Sequence, residues 1–332
     1  MLVAIIEFII IIIGLIIVSV IHELGHLLGG LLSKYEFRLF YASLICFYKM
    51  DEKIKFKFRK VTLSNLFSGQ CVMIPSQDFH RFNPFWINIS GSLFNILIAI
   101  ILLLVRANVG LNPFSMLPWL IQSQMILNFV TGLINLIPLR MLGQQSDGYN
   151  IIRGFYSTDR RSMYILMTTN NQLKKGKRYR DFDSDLLTVD PSERMNRFYI
   201  AYLIMMHAFH LMDKGEHEKA VKEFNRIDLK FLPYEWQFEV KSEILYHCLI
   251  YNFDTQKSEE LYEDGGLKRF LQKNEVLPKR VLAAYTLIIL GDIDKGQQLL
   301  HEAIALAQLL EGGYREMELD RIQDFTRYKS TI

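Results

Sequence analysis

The chain has 332 residues, 50% of them hydrophobic, with 38 Lys+Arg against 35 Asp+Glu for a formal net charge of +3. That length fits about two domains, and so even a charge balance offers no footing for a nucleic-acid partner. Three widely spaced cysteines, Cys46, Cys71 and Cys248, exclude a disulfide framework and a Cys-based metal cluster.

Charge is distributed unevenly. Residues 1–33 carry only Glu7 and Glu23 as acids and no Lys or Arg, the composition of a membrane span, whereas the chain beyond about residue 156 is rich in both signs and reads as soluble. A signal peptide would need a basic start and a small-residue cleavage site. This run has no basic start and continues unbroken, so a retained transmembrane helix is expected.

Inside that run stands His22-Glu-Leu-Gly-His26. Histidines four residues apart lie on one helix face and can turn ring nitrogens to a single zinc, with the intervening Glu23 placed to act as general base. Three polar side chains at membrane depth are costly unless they act there. His22 and His26 are therefore expected to be zinc ligands, and Glu23 the base, of a peptidase working within the bilayer. A buried packing role for the histidine pair would leave Glu23 without a reason. Gly25, Gly29 and Gly30 remove bulk around the motif, either for a substrate backbone or for helix packing within the protein.

The connection from Lys34 to Phe85 holds nine Lys or Arg. Within it Lys53-Ile-Lys-Phe-Lys-Phe-Arg59 alternates, with Ile54, Phe56 and Phe58 on one face and the cations on the other, which predicts a half-buried strand with a cationic face. Residues 37–48 are its expected partner across a turn at 50–53. Such a hairpin suits anionic headgroups. Its edge either pairs with an extended substrate or is simply a solvated surface.

Phe85–Val105 and Met116–Leu139 are the second and third expected spans, with Trp86 and Trp119 near their starts. The connection from Arg106 to Ser115 carries only Arg106, and the chain beyond Leu139 is basic again. The positive-inside rule then puts the N-terminus outside, the metal motif near the cytosolic end of its helix and the C-terminal domain in the cytosol of a multi-pass cell-membrane protein. Gln122, Gln124 and Asn128 in the third span are expected to bridge helices. Asn135-Leu-Ile-Pro138 and Ser146-Asp-Gly148 follow, and Asp147 is either an ordinary turn residue or the carboxylate that completes the metal site.

In order and in setting, His22-Glu-Leu-Gly-His26, Gly91-Ser-Leu-Phe-Asn95, Asn135-Leu-Ile-Pro138 and Asp147-Gly148 resemble the signatures of the site-2 protease family of intramembrane zinc metallopeptidases. The resemblance covers about residues 1–155. It implies that His22, His26 and Asp147 bind Zn2+, that Glu23 is the catalytic base, and that Asn95 and Asn135 help position the substrate backbone. The chain departs from the family pattern at two places. Ser92 stands where Pro is usual, and the segment from Pro138 to Asp147 is longer, with Ser146 before Asp-Gly instead of Leu.

Past the third span, Arg160-Arg161 and Lys174-Lys-Gly-Lys-Arg-Tyr-Arg180 suit anionic headgroups better than nucleic acid. Amphipathic helices then pair: Phe198–Met212 with Glu216–Ile227, Glu235–Ile250 with Thr255–Leu261, and Lys279–Leu290 with Lys295–Leu310. The turns at Gly215, Asn252 and Gly291 recur about every 38 residues, which suggests a tetratricopeptide-like stack, an irregular helical bundle being the alternative. His207, His210 and His217 on these helices read as packing or surface residues.

The expected architecture is an all-α membrane protein. A three-span metallopeptidase core with a small cytosolic β-hairpin region occupies residues 1–155, a basic juxtamembrane linker 156–192, and a soluble, tetratricopeptide-like α-helical domain 193–332. Expected partners are a transmembrane or membrane-associated peptide substrate, the lipid bilayer and a protein bound by the helical domain. The competing reading is a non-catalytic membrane scaffold of the same fold, acting through that domain.

Overall fold

α1 (Leu2–Leu32) opens the chain because a run of mean hydropathy 2.6 over Glu7–Leu32 can satisfy its backbone polar groups in lipid only as a helix. The computed structural model describes residues 2–50, 52–60, 62, 65–109, 116–141, 144–193 and 197–329. Asp51 of the expected turn, residues 110–115 between the second and third spans, and Leu142-Gly143 before Asp147 lie outside the described residues.

α2 (Phe85–Asn108), led by a 3-10 turn at Phe79–Arg81, and α3 (Leu117–Leu136) are the other apolar helices. Among the described residues these three are long and apolar enough to cross a membrane. α2 packs against both α1 and α3. Leu97, Ile101 and Leu104 on α2 and Phe129, Val130 and Leu133 on α3 stay exposed, as lipid contact requires.

Between α1 and α2 lies a four-stranded antiparallel sheet, not a single hairpin. Its strands are β1 (Tyr35–Ala42), β2 (Ile45–Met50), β3 (Lys53–Phe58) and β4 (Gly69–Pro75), in the order β3-β2-β1-β4. The stretch 37–48 contributes to two strands because Ser43, at φ 52°, turns the chain back between Ala42 and Ile45. β3 pairs with β2 and alternates as expected, yet its apolar face is open. Ile54 is 66% and Phe58 77% exposed. β4, at the opposite edge, packs against α1.

After α3 a two-stranded ribbon, β5 (Arg140–Met141) and β6 (Gln144–Gln145), leads into α4 (Asp147–Gly154) and α5 (Ser157–Lys174). The chain divides into two compact units, Met1–Met167 and Thr168–Ile332, with α5 running through the boundary. The stretch 156–192 is built largely of α5, a 3-10 turn at Tyr179–Asp181 and α6 (Ser184–Leu187).

The second unit is helical. α7 (Phe198–Asp213) and α8 (His217–Arg226) turn about Gly215 at φ 79°, a left-handed conformation glycine adopts without a Cβ penalty. α9 (Tyr234–His247) runs on into a π-turn at Cys248–Asn252 and ends at Phe253, with φ 53°. α10 (Thr255–Tyr262), α11 (Gly265–Leu271), α12 (Val276–Ile288), α13 (Ile293–Gln308) and α14 (Gly312–Lys329) complete it. The π-turn and the short α11 interrupt the even hairpin spacing. Leu245, Leu249, Leu271, Val281, Ala284 and Phe325 share one apolar core. Buried beside it, Arg280 bonds Glu318 and Glu243 at 3.0 Å each, while Arg321 reaches the same two carboxylates at 3.2 and 2.7 Å.

Candidate metal and active site

Helical periodicity sets His22 and His26 one above the other on α1, and their Nε2 atoms lie 3.1 Å apart. The outer nitrogens are engaged. His22 Nδ1 meets Asn95 Oδ1 at 2.9 Å, and His26 Nδ1 meets the Ile87 carbonyl at 2.6 Å. Both acceptors belong to α2, so that helix orients the two rings. Asn95 is itself fixed, its Nδ2 donating to the Val18 carbonyl at 3.3 Å and to Asn128 Oδ1 at 3.0 Å. Each imidazole must therefore donate from Nδ1, which leaves an Nε2 lone pair facing inward in the neutral ring.

Asp147 faces the same point. Its Oδ2 lies 3.1 Å from His22 Nε2 and its Oδ1 3.4 Å from His26 Nε2. The long segment before it is taken up by the β5–β6 ribbon, which loops out and returns. Ser146 N–H donates to the Leu139 carbonyl at 3.0 Å, and the Ser146 hydroxyl donates to the Ile137 carbonyl at 2.7 Å while accepting from Leu139 N–H and Tyr149 N–H. Ser146 is thus both the clasp of the ribbon and the N-cap of α4, whose first residue is Asp147. Gly148 has no room for a side chain, since a Cβ there would sit 2.0 Å from the Leu136 carbonyl oxygen. Burial pushes the Asp147 carboxyl up, but when the imidazoles are protonated their hydrogen bonds and charge outweigh it and hold it well below the usual carboxylate range.

The donor set fits zinc. Among the described residues His22, His26 and Asp147 form the one His/Cys/Asp/Glu group of three with all ligand atoms within 4.8 Å of one another. A tetrahedral ion about 2.0–2.2 Å from nitrogen and oxygen ligands separates those ligands by about 3.3–3.5 Å, close to the 3.1, 3.1 and 3.4 Å found here. Two nitrogen lone pairs and a carboxylate at such distances repel one another unless a cation or proton lies between them.

Close helix approach makes the cluster possible. A Cβ on Gly91 of α2 would lie 2.6 Å from His26 Nε2, and one on Gly25 of α1 would lie 2.6 Å from the Ser90 carbonyl oxygen. Glu23, 7% exposed, points toward β4, where a Cβ on Gly69 would lie 2.5 Å from its Cγ and 2.7 Å from its Oε1. Burial and the adjacent Glu23 charge push the Cys71 thiol up to about 12, and Cys71 is not among the clustered ligand atoms.

The structure thus brings His22, His26, Asp147 and Asn95 together, with Glu23 alongside on the same helix. Asn135, in the last turn of α3, makes no hydrogen bond to the cluster among the described residues. Two contributors were missed in the sequence. Ser92, fully buried, donates to Asp147 Oδ2 at 3.2 Å, and its replacement of the usual Pro was the available signal. Asn128 does bridge α2 and α3, but the residue it bridges to is the one that orients His22.

Residues 10–122 match the family model described as Peptidase family M50, the site-2 protease family, so the resemblance carried by the sequence motifs holds for this stretch. The matched segment contains His22, Glu23, His26, Ser92 and Asn95 and ends before Asn128, Asn135 and Asp147. Neither curated proteins nor solved structures give a match.

Proposed function

We propose that this chain, whose residues 10–122 match the M50 peptidase family model, is an intramembrane zinc endopeptidase that hydrolyses a peptide bond of a membrane-embedded substrate near the cytosolic face. The observation that carries the reading is the convergence of His22 Nε2, His26 Nε2 and the Asp147 carboxylate at 3.1–3.4 Å, with both Nδ1 atoms already engaged and Asp147 Oδ2 held by Ser92. Zinc held there would supply Lewis acidity, lowering the pKa of water from about 15.7 to about 7.

Glu23 takes the proton from the attacking water and returns it to the leaving amine. Burial and the close approach of Gly69 on β4 hold its carboxylate in one place. Asn95 has both amide hydrogens and its oxygen engaged, and acts by keeping the His22 ring in register. Asn135, at the end of α3, remains the polar group for the substrate backbone.

β4 is an edge strand, paired with β1 on one side only, and its Gly69 and Cys71 border Glu23. This supports a substrate held as an added strand along β4. An extended segment is also the unwound form that peptide-bond hydrolysis needs, since a helix shields its own backbone. The substrate class is a transmembrane or membrane-associated peptide, such as a single-span regulator or a small peptide precursor.

The cationic Lys34–Phe85 connection and the basic stretch after Leu139 support an outside N-terminus and a cytosolic C-terminal unit in the cell membrane. That unit, read as a tetratricopeptide-like stack, recruits or gates the substrate. Zinc analysis with cleavage tests the proposal. Purified Glu23→Gln is expected to keep one zinc per chain and to leave a co-expressed single-span substrate intact, and continued cleavage by that variant would refute Glu23 as the base.

A further inference from the structure

A groove of about 730 Å³ lies between α1 and α2, on the side of Gly25 and Gly29. Its lining is mostly hydrocarbon, with Leu28, Leu32, Leu93 and Leu97, and its polar members include Ser90 beside Gly25 and Gly29 together with Gln77, Arg81 and Asn83 toward the start of α2. A second cavity of about 370 Å³ is lined by His80, Arg160 and Phe155 and shares Arg81 and Asn83 with the first. No Asp or Glu lines either cavity among the described residues. Neither guanidinium has an ion-pair partner among those residues, and the Nε of Arg160 is buried without a hydrogen-bond partner while its guanidinium lies 5.7 Å above the Phe79 ring.

We propose that these two cavities, which share Arg81 and Asn83, together form a specific site for one anionic glycerophospholipid, with its phosphate between Arg81 and Arg160 and an acyl chain along Leu28, Leu93 and Leu97. The chemistry of the lining matches that occupant end for end. Arginine forks suit phosphate oxygens, and a cation with no ion-pair partner among the described residues gains from a lipid headgroup that supplies one at a membrane boundary. Trp86, 58% exposed beside the junction, is the side chain expected where hydrocarbon meets headgroup. A peptide would leave its backbone groups unpaired along a wall made of leucines, whereas an acyl chain has none to pair. The groove is lined by Gly25 and Gly29 on either side of His26 in α1, so its occupant also supports the α1–α2 contact on which the histidine cluster rests.

Native mass spectrometry of the purified full-length protein, equilibrated with equal amounts of phosphatidylglycerol and phosphatidylcholine, tests this directly. The expected result is one phosphatidylglycerol retained per chain, at least tenfold over phosphatidylcholine. Combined Arg81→Ala and Arg160→Ala should remove that preference, and Leu93→Trp should lower retention of both lipids. Should the double variant fail to elute as folded protein on gel filtration, Arg81→Gln alone, at an exposed position, is expected to reduce the preference several-fold. Equal retention of the two lipids by the unaltered protein would overturn the proposal, as would a preference that survives loss of the arginines. Unchanged lipid retention in Leu93→Trp together with lost substrate cleavage would assign the groove to the peptide and overturn it equally.

Discussion

The hydroxyl of Ser92 on α2 donates to Asp147 Oδ2 at 3.2 Å, so the residue that departs from the family pattern holds the carboxylate whose position the sequence left most open. Groups that hydrogen-bond a metal ligand typically contribute 10–100-fold to metal affinity. Ser92→Ala is therefore expected to weaken zinc binding about tenfold, measured by competition with a chelator, while leaving the helices intact. An unchanged affinity would show that Ser92 merely fills space.

Gly91→Ala separates the metal cluster from the fold. In a helix interior Ala is favoured over Gly by about 1 kcal/mol, so α2 itself gains. The added Cβ, however, would lie 2.6 Å from His26 Nε2 and 2.9 Å from His22 Cε1. The variant is expected to keep its helical circular dichroism and to lose most of its zinc, and retained stoichiometric zinc would contradict the close α1–α2 approach.

In the second unit Glu239 gives a pH dependence. Burial first, then the charges of Glu243, Glu275 and Glu235, raise it from an ordinary 4.5 to about 7. The folded state then binds the proton more tightly than the unfolded one, so this group's contribution to stability falls as pH rises from about 4.5 to about 7. Glu239→Gln is expected to raise the melting temperature at pH 8 and to change it little at pH 4.5, which thermal scans of both proteins would show. A larger gain at the acidic end would reverse the sign and reject this account.

Arg280 is fully buried between Glu243 and Glu318, each at 3.0 Å. Removing one partner of a buried ion pair strands the other's charge, at a cost of about 3–5 kcal/mol. Arg280→Ala should accordingly unfold the helical unit at markedly lower urea. The zinc content of the N-terminal unit serves as a control expected not to move.

The parts of the molecule governed by local pattern could be read from the chain. Three apolar runs became three helices, the His22–His26 spacing put two imidazoles 3.1 Å apart on one helix face, and the Lys53–Arg59 alternation became β3. The rest depended on long-range geometry. β4 reads only as a short run between Gly69 and Pro75, and what makes it important, its contact with Glu23, comes from packing across α1. The distance from Pro138 to Asp147 looked like an insertion because the pairing of Leu139 with Ser146, which cancels it, has no signature beyond a serine. Asn128 resembled its neighbours Gln122 and Gln124, and only the hydrogen bond to Asn95 sets it apart. In the second unit the π-turn at Cys248–Asn252 lies inside what the apolar pattern presents as one continuous helix.

X-ray absorption at the zinc K-edge of the purified, zinc-loaded protein tests the central claim most directly. Nitrogen and oxygen scatterers alone are expected at about 2.0–2.2 Å, two of them imidazoles, with a lost or altered spectrum in Asp147→Ala. Sulfur at about 2.3 Å, or an Asp147→Ala spectrum identical to that of the unaltered protein, would contradict the assignment of His22, His26 and Asp147 as the metal site.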